Sequence, residues 1–472
     1  MPPATRSGLG AGRPRIGFLA TYLDDYEWGI WHGVRRAVEE RGGSVVYFAG
    51  AGFEEPDPER RPRARVFDFV QPACVDALVC VSGVLGHFVG VPGTERWLLQ
   101  RRLLSCSIGP AEHVPSVRVD DSSGITQLMR HLIRHHDHRR IAFVTGSPSN
   151  AEAQQRLSAY IQVLADHGVS YDPRLTLTGD FTTRSGARAM HELFDARQIP
   201  VDSLDAVVCS NDPMAFGVIE ELRRRRIPVP EKVAVVGFDD VAQARLHNPS
   251  LTTVRQPLEE LGRQGALRIM SLLDGAPAEG ALTLDTELVL RRSCGCVPTD
   301  LPTPREAGDE RFEPESTTTP RSVRLPPQDL VLQRLSRLEH VLQRRMFGPQ
   351  ALLSTALAEL MPDLGIEECA VSELLPRSPT GTGDTLKLAF GFDAKTLQPQ
   401  MTTFDASQLA PPAFEHLRSC SSLVLPLTVG AQALGVAVLP AIDREGAFYE
   451  TLRELFGTVL KVLDLRRRAE RP

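Results

Sequence analysis

AVVCSNDPMAFGVIEELRRRRIPVPEKVAVVGFDD, residues 206–240, holds one full strand–helix–strand unit. AVVC (206–209) is a short apolar run with no polar alternation, the pattern of a strand covered on both faces. It ends at Asn211 and Asp212, and Pro213 sits where a helix tolerates a missing N–H. A helix is expected over 213–226, after which VAVVGF (233–238) repeats the apolar run and stops at Asp239 and Asp240. The same alternation extends in both directions from Arg15 to about Cys296. IGFLA (16–20), VVYFAG (45–50), ALVCVSG (77–83), LLSCSIG (103–109), IAFVTG (141–146) and LTLTGD (175–180) read as strands. Helices are expected near 28–41, 122–135, 150–167 and 183–196. Buried strands separated by amphipathic helices predict parallel sheets, a doubly wound α/β arrangement.

The 472 residues allow two or three domains, and 42 % hydrophobic with 24 % charged residues is ordinary for a soluble globular chain. A net charge of −6 offers nucleic acid no overall attraction. Eight cysteines are scattered, several inside apolar runs such as Cys80 and Cys209, which reads as buried free thiols in a reducing cytoplasm. No secretory leader and no membrane-length apolar run is found, so a cytoplasmic location is expected.

Ligands of open α/β sheets bind beyond the carboxyl ends of the strands. Polar residues gather there: Tyr26 and Trp28 after the first strand, Ser82 after the third, Asp212 after AVVC and Asp239 after VAVVGF. Carboxylates orient paired hydroxyls, a guanidinium donates in a fork, and an aromatic ring covers an apolar sugar face. Tyr26, Trp28, Ser82, Arg156, Asp212, Asp239 and Gln256 are therefore the candidate ligand-binding set. Bland readings stand beside several of them. Asp120, Ser122 and Asp212 suit helix caps, and Trp28 suits a lobe core.

Six motifs follow one another in order: VRVDDSSGI (117–125), HRRIAFVTG (138–146), Arg156 in QQRLSAY (154–160), SNDPMAFGV (210–218), VAVVGFDD (233–240) and NPSLTTVRQP (248–257). Together they resemble the effector domain of lactose-repressor-type sugar regulators. The resemblance implies a two-lobed periplasmic-binding-like domain over residues 15–296, a sugar-like ligand in the interlobe cleft, and Arg156 and Asp239 as contacts. It also implies a homodimer. Residues 1–14 read as a disordered lead, too short for the family's major-groove reader, so direct DNA binding by this chain is not expected.

Residues 297–327, dense in Pro, Thr and charge, read as a disordered linker. An amphipathic helix over 328–346, with Leu335, Leu338 and Leu342 on one stripe, suits signalling or dimer formation. Residues 347–472 read as a smaller α+β domain whose closing strands and helix resemble a GAF-type sensor. The output would then pass to a partner, a kinase or a transcription regulator.

His131, His135, His136 and His138 could bind a metal, but no neighbouring cysteine or carboxylate set completes a site in the sequence. Cys294-Gly-Cys296 lacks a second pair at zinc spacing, so a structural role is expected and no metal or cofactor is assigned. GLGAG (8–12) precedes a strand, whereas a dinucleotide loop must follow one. With no phosphate loop, metalloprotease motif or nucleophile elbow, an enzyme is not expected.

Overall fold

The computed structural model describes residues 13–278, 280–300, 328–345, 351–376, 384–393 and 402–469. The first twelve residues and most of the expected linker lie outside them. The parallel-sheet architecture is present, in two lobes. In the first, β1 (Arg15–Ala20), β2 (Ser44–Ala49), β3 (Ala77–Val81), β4 (Leu104–Ile108) and β5 (Ser116–Val119) pair in parallel. The second is a parallel sheet of β6 (Ile141–Thr145), β7 (Thr176–Thr178), β8 (Ala206–Cys209) and β9 (Ala234–Val236), in the order β7-β6-β8-β9. An antiparallel pair, β10 (Thr253–Arg255) and β12 (Glu287–Val289), completes it, and β11 (Leu282–Leu284) returns to the first lobe beside β5.

The chain therefore passes between the lobes three times: from β5 into the helix Asp121–His135, from β10 into the helix Leu258–Leu273, and from β11 to β12. The core residues on the two sides of each passage separate accordingly. Val119, Leu261 and Leu284 belong to the first-lobe core, and Ile125, Val254 and Leu288 to the second.

The C-terminal residues form an α+β unit. Its strands β13 (Glu368–Leu374), β14 (Thr385–Asp393), β15 (Thr403–Asp405), β16 (Ser422–Val429) and β17 (Gln432–Pro440) are antiparallel to one another. This unit is joined to the first lobe by backbone. β16 pairs in parallel with β2 (Ser422 with Val46, Leu423 with Tyr47, Val424 with Phe48), so one eleven-stranded sheet runs β11-β5-β4-β3-β1-β2-β16-β17-β13-β14-β15.

Both faces of that sheet are buried by residues from both parts. On one face Trp28, Trp31 and Tyr47 pack with Tyr449, Leu452 and Phe456 of the closing helix Gly446–Ala469. On the other, Phe48 and Phe67 pack with Leu386, Phe404 and Val424. Ion pairs Arg63–Glu450 and Arg65–Asp384 rim the junction.

Two expectations are corrected here. The helix Gln328–Arg345 packs on the C-terminal helices and buries Leu335, Leu338 and Leu342 in the core that this unit shares with the first lobe, so within the chain those leucines are already covered. Residues 297–300 continue the second lobe, because Arg291 Nη2 donates to Asp300 at 2.7 Å and Thr299 N to Leu290 O at 3.0 Å. The expected disorder of residues 301–327 lies outside the described residues. Among the described residues no helix is long and apolar enough to cross a membrane.

Candidate ligand site between the lobes

The cleft is built on the carboxyl ends of the strands of both sheets. Asn150 follows β6 and caps the helix Ala151–Asp166, its Oδ1 accepting from Ala153 N at 2.8 Å. Its Nδ2 donates across the cleft to Gly83 O of the first lobe at 2.8 Å, and Ser149 Oγ donates to His87 O at 2.6 Å. The Glu152 carboxylate lies directly over Gly83. A Cβ added there would come within 2.7 Å of Glu152 Oε2, so a larger residue at Gly83 would displace the Glu152 carboxylate from its present position. A small pocket of about 10 Å³, room for one water, is lined by Ser82, Gly83, Asn150 and Glu152 at this contact. The lobes are closed.

Beneath this contact lies a buried charged cluster. Arg156 is 3 % exposed. Its Nε donates to Asp121 Oδ1 at 2.7 Å and its Nη1 to Ser210 O at 2.5 Å, while its guanidinium lies 3.8 Å from the Phe238 ring centroid. Asp239 Oδ1 accepts from Gln256 Nε2 at 2.7 Å. Asp239 also holds a φ of +120°, a region that strains a non-glycine residue by about 1–3 kcal/mol and concentrates at functional sites.

Three carboxylates share one guanidinium here. Burial, and then the neighbouring Asp121 charge, push the Glu152 carboxyl up to about 7. Burial likewise pushes Asp239 up to about 7, opposed first by Arg156. Tyr26, half-buried in the first turn of the helix Asp25–Glu39, is held protonated by burial, then by the Glu152 and Asp239 charges opposite it. Two buried hydroxyls at strand ends of the second lobe, Thr145 Oγ1 and Ser210 Oγ, have no hydrogen-bond partner among the described residues.

The structure thus brings Tyr26, Ser82, Arg156, Asp239 and Gln256 to the cleft, with Ser82 Oγ engaged by Ser107 Oγ and donating to Ile108 O at 3.2 Å. It does not bring Trp28 or Asp212 there. Trp28 is 7 % exposed, with its ring centroid 5.9 Å from Tyr47 and 5.6 Å from Tyr449. It is a core residue at the junction with the C-terminal unit. Asp212 is fully buried and occupied as a tether: Oδ1 accepts from Thr253 Oγ1 at 2.6 Å and Oδ2 from Val241 N at 3.0 Å. The cap of its helix is Asn211, whose Oδ1 accepts from Met214 N at 3.0 Å. Asp120 is a cap, accepting from Ser123 N at 2.8 Å.

Asp121 and Glu152 are the charged cleft residues that the sequence reading missed, together with Asn150, Thr145 and Ser210. The Asp120-Asp121 pair carried a usable signal, since a helix start needs only one capping carboxylate and the second is then free for another partner. A further reading is overturned: Cys294 and Cys296 do complete the histidine cluster, packing against His131 and His136.

Two lobes crossed three times by the chain, with a polar cluster in the cleft, define a periplasmic-binding-protein-like domain. The profile of the periplasmic binding protein-like domain matches residues 129–294. The HTH-type transcriptional repressor CytR of Escherichia coli K12 is 30 % identical over 205 residues, 43 % of this chain and 59 % of the repressor. The HTH-type transcriptional regulator GalR of Salmonella typhimurium is 32 % identical over 246 residues, 51 % of this chain and 68 % of the regulator. A solved structure described as a transcriptional regulator CelR–cellobiose complex superposes with a TM-score of 0.51 at 30 % identity, covering 59 % of this chain and 84 % of that one. The chain belongs to the sugar-repressor (LacI/GalR) family through its two-lobed domain. It spans about three-fifths of the length of the first curated relatives it matches.

Proposed function

We propose that this chain is a non-enzymatic, ligand-responsive regulator. It takes a small polyhydroxylated ligand, a sugar or sugar derivative, into the cleft between its lobes. The observation that carries the reading is the buried Arg156–Asp121–Glu152–Asp239 cluster, which lies between the lobes with the unpartnered hydroxyls of Thr145 and Ser210 beside it. Such a mixture of fixed acceptors and donors matches paired ligand hydroxyls better than it matches an ion. The cellobiose named with the CelR structure and the sugar-regulator relatives point the same way.

A ligand works as a switch only by binding one lobe arrangement better than another. Asn150 Nδ2 and Ser149 Oγ of the second lobe donate to Gly83 O and His87 O of the first, so entry of a ligand would part these contacts and reclosure over it would restore them. Since β16 extends the first-lobe sheet, the C-terminal unit, read as GAF-like, travels with that lobe. Lobe movement would thereby reposition this unit against the second lobe and present a changed surface to a second copy or a partner regulator. The test is a thermal-shift screen of mono- and disaccharides and nucleosides. At least one ligand should raise the melting temperature of the wild type, with the shift lost in Asp239→Asn. A full panel without a stabiliser would overturn the reading.

A second reading, direct contact with DNA, is favoured by the names of the relatives, which are HTH-type regulators. A gel shift with genomic fragments across a salt series tests it, and no binding at low salt removes it.

A further inference from the structure

Far from the cleft, at the opposite end of the helix Asp121–His135, two histidines meet two cysteines from more than 150 residues later. His131 Nε2 and His136 Nε2 are 3.1 Å apart. Cys296 Sγ lies 3.4 Å from each of them, and Cys294 Sγ lies 3.7 Å from His131 Nε2. All four ligand atoms fall within 4.8 Å of one another. Tetrahedral zinc with bonds of about 2.0–2.1 Å to nitrogen and about 2.3 Å to sulfur requires edges of about 3.3 Å (N···N), about 3.6 Å (N···S) and about 3.8 Å (S···S). The N···N edge and the three N···S edges above lie within about 0.2 Å of these values, and the remaining two edges lie within 4.8 Å. We propose that His131, His136, Cys294 and Cys296 form a structural zinc site.

The local backbone supports the assignment. Gly295 has a φ of +94°, a left-handed turn that glycine adopts without strain and that turns Cys294 and Cys296 toward the same side. The helix ends at His135, so that His136 at the cap reaches the same point as His131 in the last turn. A hydrogen-bonded cluster of neutral thiols and imidazoles is the competing account. Against it, His131 Nε2 faces one nitrogen and two sulfurs at once, and a single ring nitrogen can make only one hydrogen bond along its lone-pair or N–H axis. Thr252 Oγ1, 3.0 Å from Cys294 Sγ, is placed to steady the ligand from outside.

Four protein ligands leave no open coordination position, which marks a structural and not a hydrolytic metal. Its effect would be to clasp the segment after β12 onto the helix that begins at the first lobe crossing. That segment carries Arg291, which pairs with both Asp240 and Asp300. The metal would thus fix the point where the chain leaves the second lobe.

The full chain, purified without a histidine tag, reduced, stripped by chelator and reloaded with Co(II), provides the test. One equivalent should bind, with the visible d–d absorption of tetrahedral cobalt and a thiolate-to-cobalt charge-transfer band. Cys296→Ser and His136→Asn should each weaken binding at least about tenfold, as loss of a ligand demands. His135→Asn, which removes the exposed neighbour, should leave it unchanged. If a variant fails to fold, the wild-type cobalt spectrum decides alone. Less than one-tenth of an equivalent bound, an octahedral spectrum without thiolate bands, or a Cys294–Cys296 disulfide trapped in cells under alkylating conditions would overturn the proposal.

Discussion

Replacing Arg156 by methionine removes the only cation of a buried cluster while keeping most of the side-chain volume. Asp121 is 2 % exposed and would be left without its partner at 2.7 Å. Breaking one side of a buried ion pair costs about 3–5 kcal/mol, because the remaining charge stays desolvated. Loss of the donor to Ser210 O adds roughly 1–3 kcal/mol for an unpaired buried acceptor. A compensating gain is expected as Asp121 takes up a proton, so a total near 4 kcal/mol is anticipated at neutral pH. The second substitution Asp121→Leu should recover much of this, since a well-packed apolar pair can replace a buried ion pair at little net cost. Urea unfolding of the wild type, both single variants and the double variant gives the coupling energy. A loss below about 1 kcal/mol for Arg156→Met, or a coupling energy indistinguishable from zero, would refute the view that Arg156 organises the closed cleft. The same experiment separates two roles: a ligand contact alone would leave the stability of the free protein unchanged.

Glu152 and Asp239 both titrate near 7 in the folded protein, well above their unfolded values near 4. Between those limits the folded state binds more protons, so stability should fall as pH rises from about 4.5 to 7, by up to about 1.4 kcal/mol per pH unit for each group. Glu152→Gln should flatten that slope, measured by thermal unfolding across pH; an unchanged profile would remove Glu152 from the cluster. Trp28→Ala should cost about 3–5 kcal/mol as a buried aromatic truncation yet keep the ligand-induced thermal shift, because the ring lies in the core and not in the cleft. A shift lost without destabilisation would return Trp28 to the cleft.

The inner strands of both lobes could be read from sequence because they are unbroken apolar runs ending in polar turns, and AVVC and IAFVT are β8 and β6 in full; β5 and β10–β12, short and partly polar, gave no such signal. The cleft could be read in outline for the same reason: strand ends are marked by Ser82, Asn211 and Asp239. Its wiring could not. Whether Asp120 or Asp121 caps, and which one meets Arg156, depends on a helix packed against it from 35 residues on. Trp28 misled because an aromatic just past a strand end suits a sugar platform as well as a core, and its partner Tyr449 belongs to a helix at the far end of the chain. The histidine–cysteine cluster was hidden for a related reason. Its halves, two residues on a helix and two on a turn, each look incomplete until the third crossing brings them together.

The pairing of β2 with β16 also sets an order of events during synthesis. Val45 and Ser421, hydrogen-bonded across that seam, are 376 residues apart. At about 5–20 residues per second, roughly 20–75 s pass between the emergence of one strand and that of its neighbour. The second-lobe sheet, drawn from a continuous stretch, can close in that interval. The first lobe meanwhile waits with β2 as an open edge and with Trp28, Trp31 and Tyr47 uncovered by the closing helix. An unpaired strand beside an aromatic face invites association between nascent chains. Until β16 arrives, the first lobe therefore carries an unpaired edge strand and an uncovered aromatic face at the same time, and a chain cut short inside the C-terminal unit would keep both.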